Sequence, residues 1–210
     1  MIFLDDDLWF PDAEEAEEDG LLAVGGNLDP GRLLLAYQSG IFPWFIEQGF
    51  PFWFCPPERF VLYPEEIRIS SSMKQLLKKE KFKITEDRNF AEVIEQCAST
   101  HKFREGSTWI SKEFIESYTE LHQRGYAHSI EVWENEKLVG GLYGVIMGNI
   151  FCGESMFSLE ANASKTALIH LCQSKKYKLI DCQLYTPHLE TMGAKLISRE
   201  LFLEMLRGNN

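Results

Sequence analysis

The fold of this chain is decided by Ser129-Ile-Glu-Val-Trp133 and the residues that follow it. Polar and apolar side chains alternate through this stretch, which indicates a β-strand. Glu134-Asn-Glu136 supplies a turn, and longer apolar strands are predicted at residues 137–147 and 149–157. Strands joined by such short turns pair antiparallel, so the three predict an antiparallel meander.

A helix and one more strand are predicted after the meander. Asn162 is expected to cap the helix, and residues 178–184 return as a strand. The apolar face of the helix comprises Ala163, Ala167, Leu168, Leu171 and Cys172. A helix between two strands of one sheet is a crossover, so the last strand is predicted to run parallel to its neighbour. The last two-thirds of the chain therefore predict an α/β (α+β) domain with a mixed sheet.

The first part of the chain has a different character. Residues 20–63 are dense in Gly, Pro and aromatic residues, which favours a small, loop-rich domain packed by aromatic rings. One helix is predicted there, with Asp29 as N-cap and Pro30 in the first turn. Further helices are predicted at residues 70–79, 89–98 and 111–125. We expect two domains, residues 1–62 and 63–210.

Charge is distributed unevenly along the 210 residues. A net charge of −11 argues against a nucleic-acid partner, because Lys and Arg drive phosphate binding. However, the first twenty residues hold nine acids and no Lys or Arg, so the other 190 carry only −2. Residues 68–83, which include Lys78 and Lys79, carry a net +5. A solvated helix face would explain this basic run, and so would a patch that contacts phosphates.

Several classes of protein are disfavoured. The N-terminus lacks the features of a secretory signal, and no apolar stretch is long enough to span a bilayer, so we expect a cytoplasmic protein without membrane contact. The five cysteines are scattered and are interpreted as free thiols, and the histidines lack metal-ligand spacing. Dinucleotide, P-loop, zinc-protease and α/β-hydrolase motifs are absent from the sequence. An enzymatic activity is therefore expected to need neither a cofactor nor a metal.

Polar residues in two predicted strands point to a possible site. Glu154 and Ser155 lie near the end of a glycine-rich apolar strand, although an acid in solvent at a strand end would give the same pattern. Asp181 and Gln183 are predicted to point to one face of the last strand, with Ile180, Cys182 and Leu184 on the other. Buried polar pairs need partners, so this face is either a site or an exposed sheet surface.

Two tryptophans next to turn residues provide a further signal. Trp44 and Trp109 lie outside the periodic segments, a placement that suits rings exposed in a cleft for stacking on a base. Most tryptophans are core residues, so the pattern alone favours a packing role.

Eight blocks give the sequence its resemblance to a known family. They are Gly20-Leu-Leu-Ala-Val-Gly-Gly-Asn-Leu-Asp-Pro30, Tyr37-Gln-Ser-Gly-Ile-Phe-Pro-Trp-Phe45, Gly106-Ser-Thr-Trp-Ile110, Gly125-Tyr-Ala-His-Ser-Ile-Glu-Val-Trp133, Leu138-Val-Gly-Gly-Leu-Tyr-Gly144, Gly153-Glu-Ser-Met-Phe-Ser158, Asn162-Ala-Ser-Lys-Thr-Ala167 and Ile180-Asp-Cys-Gln183. In content, order and approximate spacing they resemble the leucyl/phenylalanyl-tRNA–protein transferases, and the resemblance extends from about residue 20 to 203. It implies transfer of leucine, phenylalanine or sometimes methionine from aminoacyl-tRNA to proteins that begin with Lys or Arg, which marks them for N-end rule degradation.

The resemblance also implies a fold and a set of site residues. The C-terminal domain would be related to the Gcn5-related N-acetyltransferases, and the protein would act as a monomer. The implied catalytic residues are Asp181, Gln183 and Glu154. Because Asp181 and Gln183 share a predicted strand face, we expect Asp181 to orient Gln183 toward the acceptor amine and Glu154 to hold the donor's α-amine or terminal ribose. The acidic lining, Asp181 and Glu154 included, is expected to select the Lys or Arg side chain of the acceptor.

The implied contacts for the side chain of the transferred amino acid are Leu142, Leu168, Leu171 and Ile180, with Ser155 beside Glu154. The terminal adenosine would stack on Trp44 and Trp109. The rest of the tRNA would contact Lys78 and Lys79.

The sequence departs from the family pattern at several positions, and two alternative functions also stay open. Ser71 and Gln75 stand where relatives often carry arginine, and Cys55 stands where serine is usual, so the tRNA affinity is expected to be low or sensitive to salt. A coenzyme-A-dependent N-acyltransferase is one alternative, although the chain lacks the [QR]-x-x-G-x-[GA] loop that such enzymes use. The other is a binding module without catalytic activity that recognises Lys or Arg at N-termini through an acidic cleft.

Overall fold

A computed structural model of the protein describes residues 2–105 and 110–208, which form two β-sheets and the helices packed on them. The strands are β1 (Ile2–Leu4), β2 (Leu21–Gly25), β3 (Phe42–Glu47), β4 (Phe50–Phe54), β5 (Glu58–Leu62), β6 (Lys83–Glu86), β7 (Ala127–Glu134), β8 (Lys137–Met147), β9 (Ile150–Ser158), β10 (Leu179–Gln183) and β11 (Lys195–Ser198). The α-helices are α1 (Pro30–Gln38), α2 (Ser71–Lys78), α3 (Phe90–Glu105), α4 (Lys112–Gln123), α5 (Ala163–Gln173), α6 (Pro187–Thr191) and α7 (Arg199–Arg207).

The larger sheet has seven strands in the order β11-β5-β10-β9-β8-β7-β6. Strands β7, β8 and β9 form the predicted antiparallel meander, and β10 pairs parallel with β9 after the crossover through α5. The glycines of β8 allow α5 to pack closely, because a Cβ on Gly140 would lie 2.5 Å from the Cβ of Ala163. The mixed sheet predicted from the sequence is therefore confirmed.

The N-terminal part is more regular than predicted. Instead of a loop-rich segment, the structure shows a four-stranded sheet in the order β1-β2-β4-β3. Prolines and glycines interrupt these strands, and Leu21–Gly25 is buried at every position, so they lack the alternation that identifies a half-buried strand. Residues of both sheets share one apolar cluster, and β5 belongs to the larger sheet although it precedes residue 63. The division into domains at 62/63 stays a prediction.

The predicted helices are present, with two corrections to their capping. Asp29 occupies the N-cap position of α1, but its side chain makes no capping hydrogen bond. Ser70 and Ser111 cap α2 and α4 by accepting hydrogen bonds from the backbone N–H groups of Met73 and Phe114. Asn162 occupies the N-cap position of α5, but its backbone is left-handed (φ 71°) and its side chain makes no capping hydrogen bond. The predicted side-chain cap is therefore wrong. The Asn162 carbonyl oxygen instead accepts hydrogen bonds from the N–H and hydroxyl groups of Thr166.

Strands β9 and β10 diverge in the middle of the sheet, and this opening positions the site. Their pairing extends from Leu179 with Ile150 to Asp181 with Cys152. At Gln183 the backbone becomes left-handed (φ 62°), and the register between β10 and β5 shifts at the same place. The ends of the two strands therefore separate around Glu154 and Gln183.

Within the described residues, no helix is both long and apolar enough to cross a membrane.

Candidate active site

A cleft of about 370 Å³ opens where β9 and β10 diverge. Its walls include most of the site residues predicted from the sequence: Trp44, Leu142, Glu154, Ser155, Leu168, Leu171, Ile180, Asp181 and Gln183. The structure thus brings together side chains from β3, β8, β9, α5 and β10. Lys78 and Lys79 lie outside the cleft on α2, and Trp109 lies outside the described residues.

One end of the cleft is apolar. Leu168 and Leu171 lie one helical turn apart on α5, and Leu142 and Ile180 contribute from β8 and β10. All four are nearly fully buried members of one apolar cluster. We call their part of the cleft the apolar slot. Its chemistry suits an aliphatic or aromatic side chain, because it offers apolar contacts.

The other end of the cleft is polar and is built around Glu154. Gln183 Nε2 donates a hydrogen bond to Glu154 Oε1 at 2.6 Å, and the Tyr118 hydroxyl donates to Glu154 Oε2 at 3.1 Å. Tyr37 of α1 hydrogen-bonds in turn to the Tyr118 hydroxyl. Burial raises the pKa of Glu154 to about 7, although these hydrogen bonds oppose the shift. Glu154 can therefore gain or lose a proton near neutral pH.

Asp181 is buried next to this pair and is held by Arg59 of β5. Arg59 Nε and Nη2 donate to the two carboxylate oxygens at 2.8 and 2.7 Å, and the side chains are 2% and 0% exposed. The guanidinium lies between the rings of Phe42 and Phe202, 4.6 and 4.5 Å from their centroids. Asp181 therefore has a neutralised charge and no exposed surface, which suits a positioning role better than contact with substrate.

Asp181 also fixes the backbone of Gln183. The Gln183 N–H donates to Asp181 Oδ1 at 2.8 Å, and Gln183 adopts its left-handed conformation at this point. Such a conformation costs about 1 kcal/mol or more for a residue with a side chain, so the surroundings must enforce it. The predicted alternation fails here as a result: Ile180 and Cys182 pack with the slot cluster, whereas Leu184 packs with the other core cluster.

Trp44 lies in the wall of the cleft, and the basic helix α2 packs against the same apolar cluster as the slot. Trp44 is 38% exposed, and its ring packs edge-on against Phe54 at 4.9 Å between centroids. Lys78 and Lys79 are exposed on α2, whose Met73 packs into the same apolar cluster as the slot.

Three residues of the site were missed by the sequence analysis. None of Tyr37 of α1, Tyr118 of α4 and Arg59 of β5 was given a role at the site. Arg59 did carry a signal, since it is a cation in the otherwise apolar run Arg-Phe-Val-Leu of β5. A buried cation of this kind requires a buried acid as its partner.

The raised pKa of Glu154 has a consequence for stability. A carboxyl group with a pKa of about 7 in the folded protein and 4.5 in the unfolded chain favours the folded state below pH 4.5. This contribution, about 3 kcal/mol, is lost as the pH rises from 4.5 through 7. Glu154→Gln removes this titrating group. Between pH 5 and 8 we therefore expect the unfolding free energy of the variant to fall by about 2–3 kcal/mol less than that of the wild type. Urea unfolding at both pH values measures this difference, and parallel changes in the two proteins would contradict it.

Metal-ligating groups do not gather at this site. Across residues 2–105 and 110–208, no three His, Cys, Asp or Glu side chains are arranged to hold a metal ion. The five cysteines are free thiols, and Cys152 and Cys182 lie next to Asp181 along the two diverging strands. Among the described residues, the reactive groups that line the cleft are carboxyl, amide and hydroxyl groups together with the Cys182 thiol and the His188 imidazole.

Comparison with known proteins identifies the family. The family model described as leucyl/phenylalanyl-tRNA protein transferase matches residues 61–207, and the model of its N-terminal domain matches residues 26–57. A leucyl/phenylalanyl-tRNA–protein transferase of Flavobacterium johnsoniae is 52% identical over 210 residues and covers 99% of each chain. One of Syntrophus aciditrophicus is 53% identical over 201 residues, which cover 94% of this chain and 84% of the relative.

The fold has a counterpart among solved structures. The crystal structure of FemX aligns with a TM-score of 0.53 over 83% of this chain and 70% of its own, at 10% identity, which is a likeness of fold alone. The predicted mixed α/β fold class is confirmed. Taken with the family matches and the near full-length relatives, these findings show that the chain belongs to the leucyl/phenylalanyl-tRNA–protein transferase family.

Proposed function

We propose that the protein transfers leucine or phenylalanine, and less often methionine, from aminoacyl-tRNA to the α-amine of a polypeptide that begins with Lys or Arg. The product would be marked for N-end rule degradation. The observation that carries this proposal is one cleft in which the apolar slot adjoins the Glu154–Gln183 pair. The slot would hold the side chain of the donor, and the polar pair would hold the amine that attacks its ester.

The reaction needs positioning more than activation. The neutral α-amine attacks the ester carbonyl, a C–N bond forms, and the C–O bond to the terminal ribose breaks. The amine gives up a proton, and the tRNA leaves with a free hydroxyl group. An α-amine has a pKa near ~8, so roughly a tenth of it is neutral at pH 7. Alignment of two bound reactants can supply much of the remaining acceleration.

The orientation of Gln183 fits the binding of an amine. Its Nε2 already donates to Glu154, so its Oε1 points elsewhere and can accept a hydrogen bond from the incoming α-amine. Asp181 and Arg59 would hold the backbone that carries this amide. Glu154, with a pKa of about 7, is suited to take up the proton that the amine loses.

Donor selectivity would come from the slot. Leu142, Leu168, Leu171 and Ile180 present only apolar side chains, which leave the hydrogen-bonding groups of a polar donor side chain without partners. Differences of one methylene in such pockets are worth only about 1–3 kcal/mol, so leucine, phenylalanine and methionine would all be accepted. Trp44 at the cleft wall would stack on the terminal adenosine.

The lysines of α2 would contact the tRNA backbone. We expect Lys78→Ala together with Lys79→Ala to weaken aminoacyl-tRNA binding and to reduce the slope of log K against log salt by about 1–2, because fewer counterions are released. Binding measured from 50 to 300 mM salt checks this. Replacing the exposed Lys112 and Lys137 with alanine is the matched control. An unchanged slope in the α2 variant would place the tRNA on another surface.

Transfer itself tests the proposal. The protein would be incubated with tRNA charged with leucine, phenylalanine or methionine and with a peptide that begins with arginine, and the peptide would be analysed by mass spectrometry. We expect one added residue on the α-amine and none on an N-acetylated peptide. A parallel reaction with acetyl-coenzyme A tests the acyltransferase alternative. Acetylation without aminoacyl transfer would overturn the proposal, and binding of the peptide without any transfer would favour a binding module.

A further inference from the structure

The cleft interior offers no full negative charge for the basic side chain of an acceptor. Both oxygens of Asp181 face the Arg59 guanidinium, so its charge is neutralised and buried. Both oxygens of Glu154 accept hydrogen bonds, from Gln183 and Tyr118, and its pKa is about 7. Selection of Lys or Arg by these two carboxylates, as expected from the sequence, is therefore poorly supported by their surroundings. Another carboxylate close to Gln183 is needed.

Tyr185 and Glu190 form an exposed pair that combines an aromatic ring with a carboxylate. The Tyr185 hydroxyl donates to Glu190 Oε2 at 2.8 Å, and the Tyr185 ring packs edge-on against Phe60 at 5.3 Å between centroids. These two contacts hold the ring at both ends, yet the side chain is 50% exposed. An aromatic ring fixed next to a carboxylate combines the two groups that bind guanidinium and ammonium ions best.

This pair adjoins the cleft along the chain. Leu184 and Thr186, on either side of Tyr185, both line the cleft, as does Leu189 next to Glu190. Gln183 and Tyr185 are two residues apart, so their Cα atoms lie within about 7 Å of each other. An extended arginine or lysine side chain spans about 6–7 Å from its own Cα. An acceptor with its α-amine at Gln183 could therefore place its side-chain cation near Tyr185.

We propose that Tyr185 and Glu190 form the subsite for the guanidinium or ammonium group of the acceptor's first residue, an inference that rests on the proposed function. The cation would lie over the Tyr185 ring and pair with the Glu190 carboxylate, which the Tyr185 hydroxyl holds in place. His188, which also lines the cleft, adds little opposing charge, because burial and then Lys165 lower its pKa.

Matched acceptor peptides test this subsite. Peptides of one sequence that begin with arginine, lysine or citrulline would be compared at saturating phenylalanyl-tRNA, with KM and kcat determined separately. Citrulline has the shape of arginine without its charge. We expect Glu190→Gln to raise KM for the arginine and lysine peptides about tenfold, with kcat, KM for the citrulline peptide and KM for the tRNA unchanged.

Further variants separate the ring from the carboxylate. Tyr185→Leu removes the ring and should raise KM for the arginine peptide at least as much as Glu190→Gln. Tyr185→Phe keeps the ring and should have a smaller effect. Glu200→Gln, at an exposed position of α7, is the matched control and should change nothing. All these residues are exposed, so the variants should fold normally.

Each outcome supports or overturns the subsite. An equal rise in KM for the arginine and citrulline peptides would exclude charge recognition, and an unchanged KM for both would exclude contact with the acceptor. A raised KM for the tRNA instead would show that Tyr185 stacks on the donor. If the wild type transfers phenylalanine, none of these results contradicts the proposed function. Absence of transfer by the wild type itself would refute that function.

Discussion

Replacing Asp181 with asparagine is expected to lower the free energy of unfolding by about 3–5 kcal/mol and the transfer rate by about a hundredfold or more. The substitution removes one charge of a fully buried ion pair and leaves Arg59 uncompensated between two aromatic rings. It also disturbs the hydrogen bond that fixes the Gln183 backbone. Urea unfolding measures the first effect, and single-turnover transfer at saturating substrates measures the second.

A double variant separates stability from positioning. Arg59→Met combined with Asp181→Leu removes both charges and keeps apolar packing between Phe42 and Phe202. We expect most of the stability to return, because replacing a buried ion pair with apolar side chains is often neutral or stabilising. The transfer rate should stay low, since Gln183 still lacks its acceptor at Asp181. A double variant with wild-type rate would show that the pair has only a structural role.

Removing the Gln183 amide is expected to reduce kcat by about 10²–10³ with little change in the affinity for aminoacyl-tRNA. In Gln183→Ala the acceptor amine loses the carbonyl oxygen that would orient it, and Glu154 loses a hydrogen-bond donor. Pre-steady-state transfer and tRNA binding, measured on the same preparation, separate these two quantities. Gln173→Ala, at an exposed position of α5, is the matched control.

A glycine variant at the same position controls for backbone strain. The left-handed conformation of Gln183 costs little for glycine, so Gln183→Gly should be at least as stable as Gln183→Ala. An equal loss of rate in both variants assigns the effect to the missing amide. A rate near that of the wild type in either variant would contradict the role proposed for Gln183.

Local patterns in the sequence were sufficient for the C-terminal fold. The alternation of residues 129–133, the turn after Glu134 and the helical face of α5 are periodic within short windows, and the structure has the strand, the turn and the helix that they predict. The polar side chains of Ser129 and Glu131 are nevertheless buried like their apolar neighbours. Because β9 and β10 are joined by one crossover, residues on the two strands could be predicted to lie together. The gathering of the predicted slot residues in one cleft follows from this arrangement.

Contacts between distant parts of the chain could not be predicted in this way. Arg59 lies 122 residues from Asp181, and Tyr37 lies 81 residues from Tyr118. No periodicity connects such pairs, so the residues that set the orientation of Gln183 and the pKa of Glu154 were missed. The left-handed turn at Gln183 depends on Asp181 accepting its N–H group, and it broke an alternation that the residue types alone favoured.

The most direct test of the account is a crystal structure with phenylalanyl-adenosine in which an amide replaces the reactive ester. We predict that the phenyl ring lies among Leu142, Leu168, Leu171 and Ile180, and that the carbonyl carbon lies next to Gln183 Oε1 with room for an amine between them. A ring bound outside this slot, or a carbonyl group far from Gln183, would contradict it.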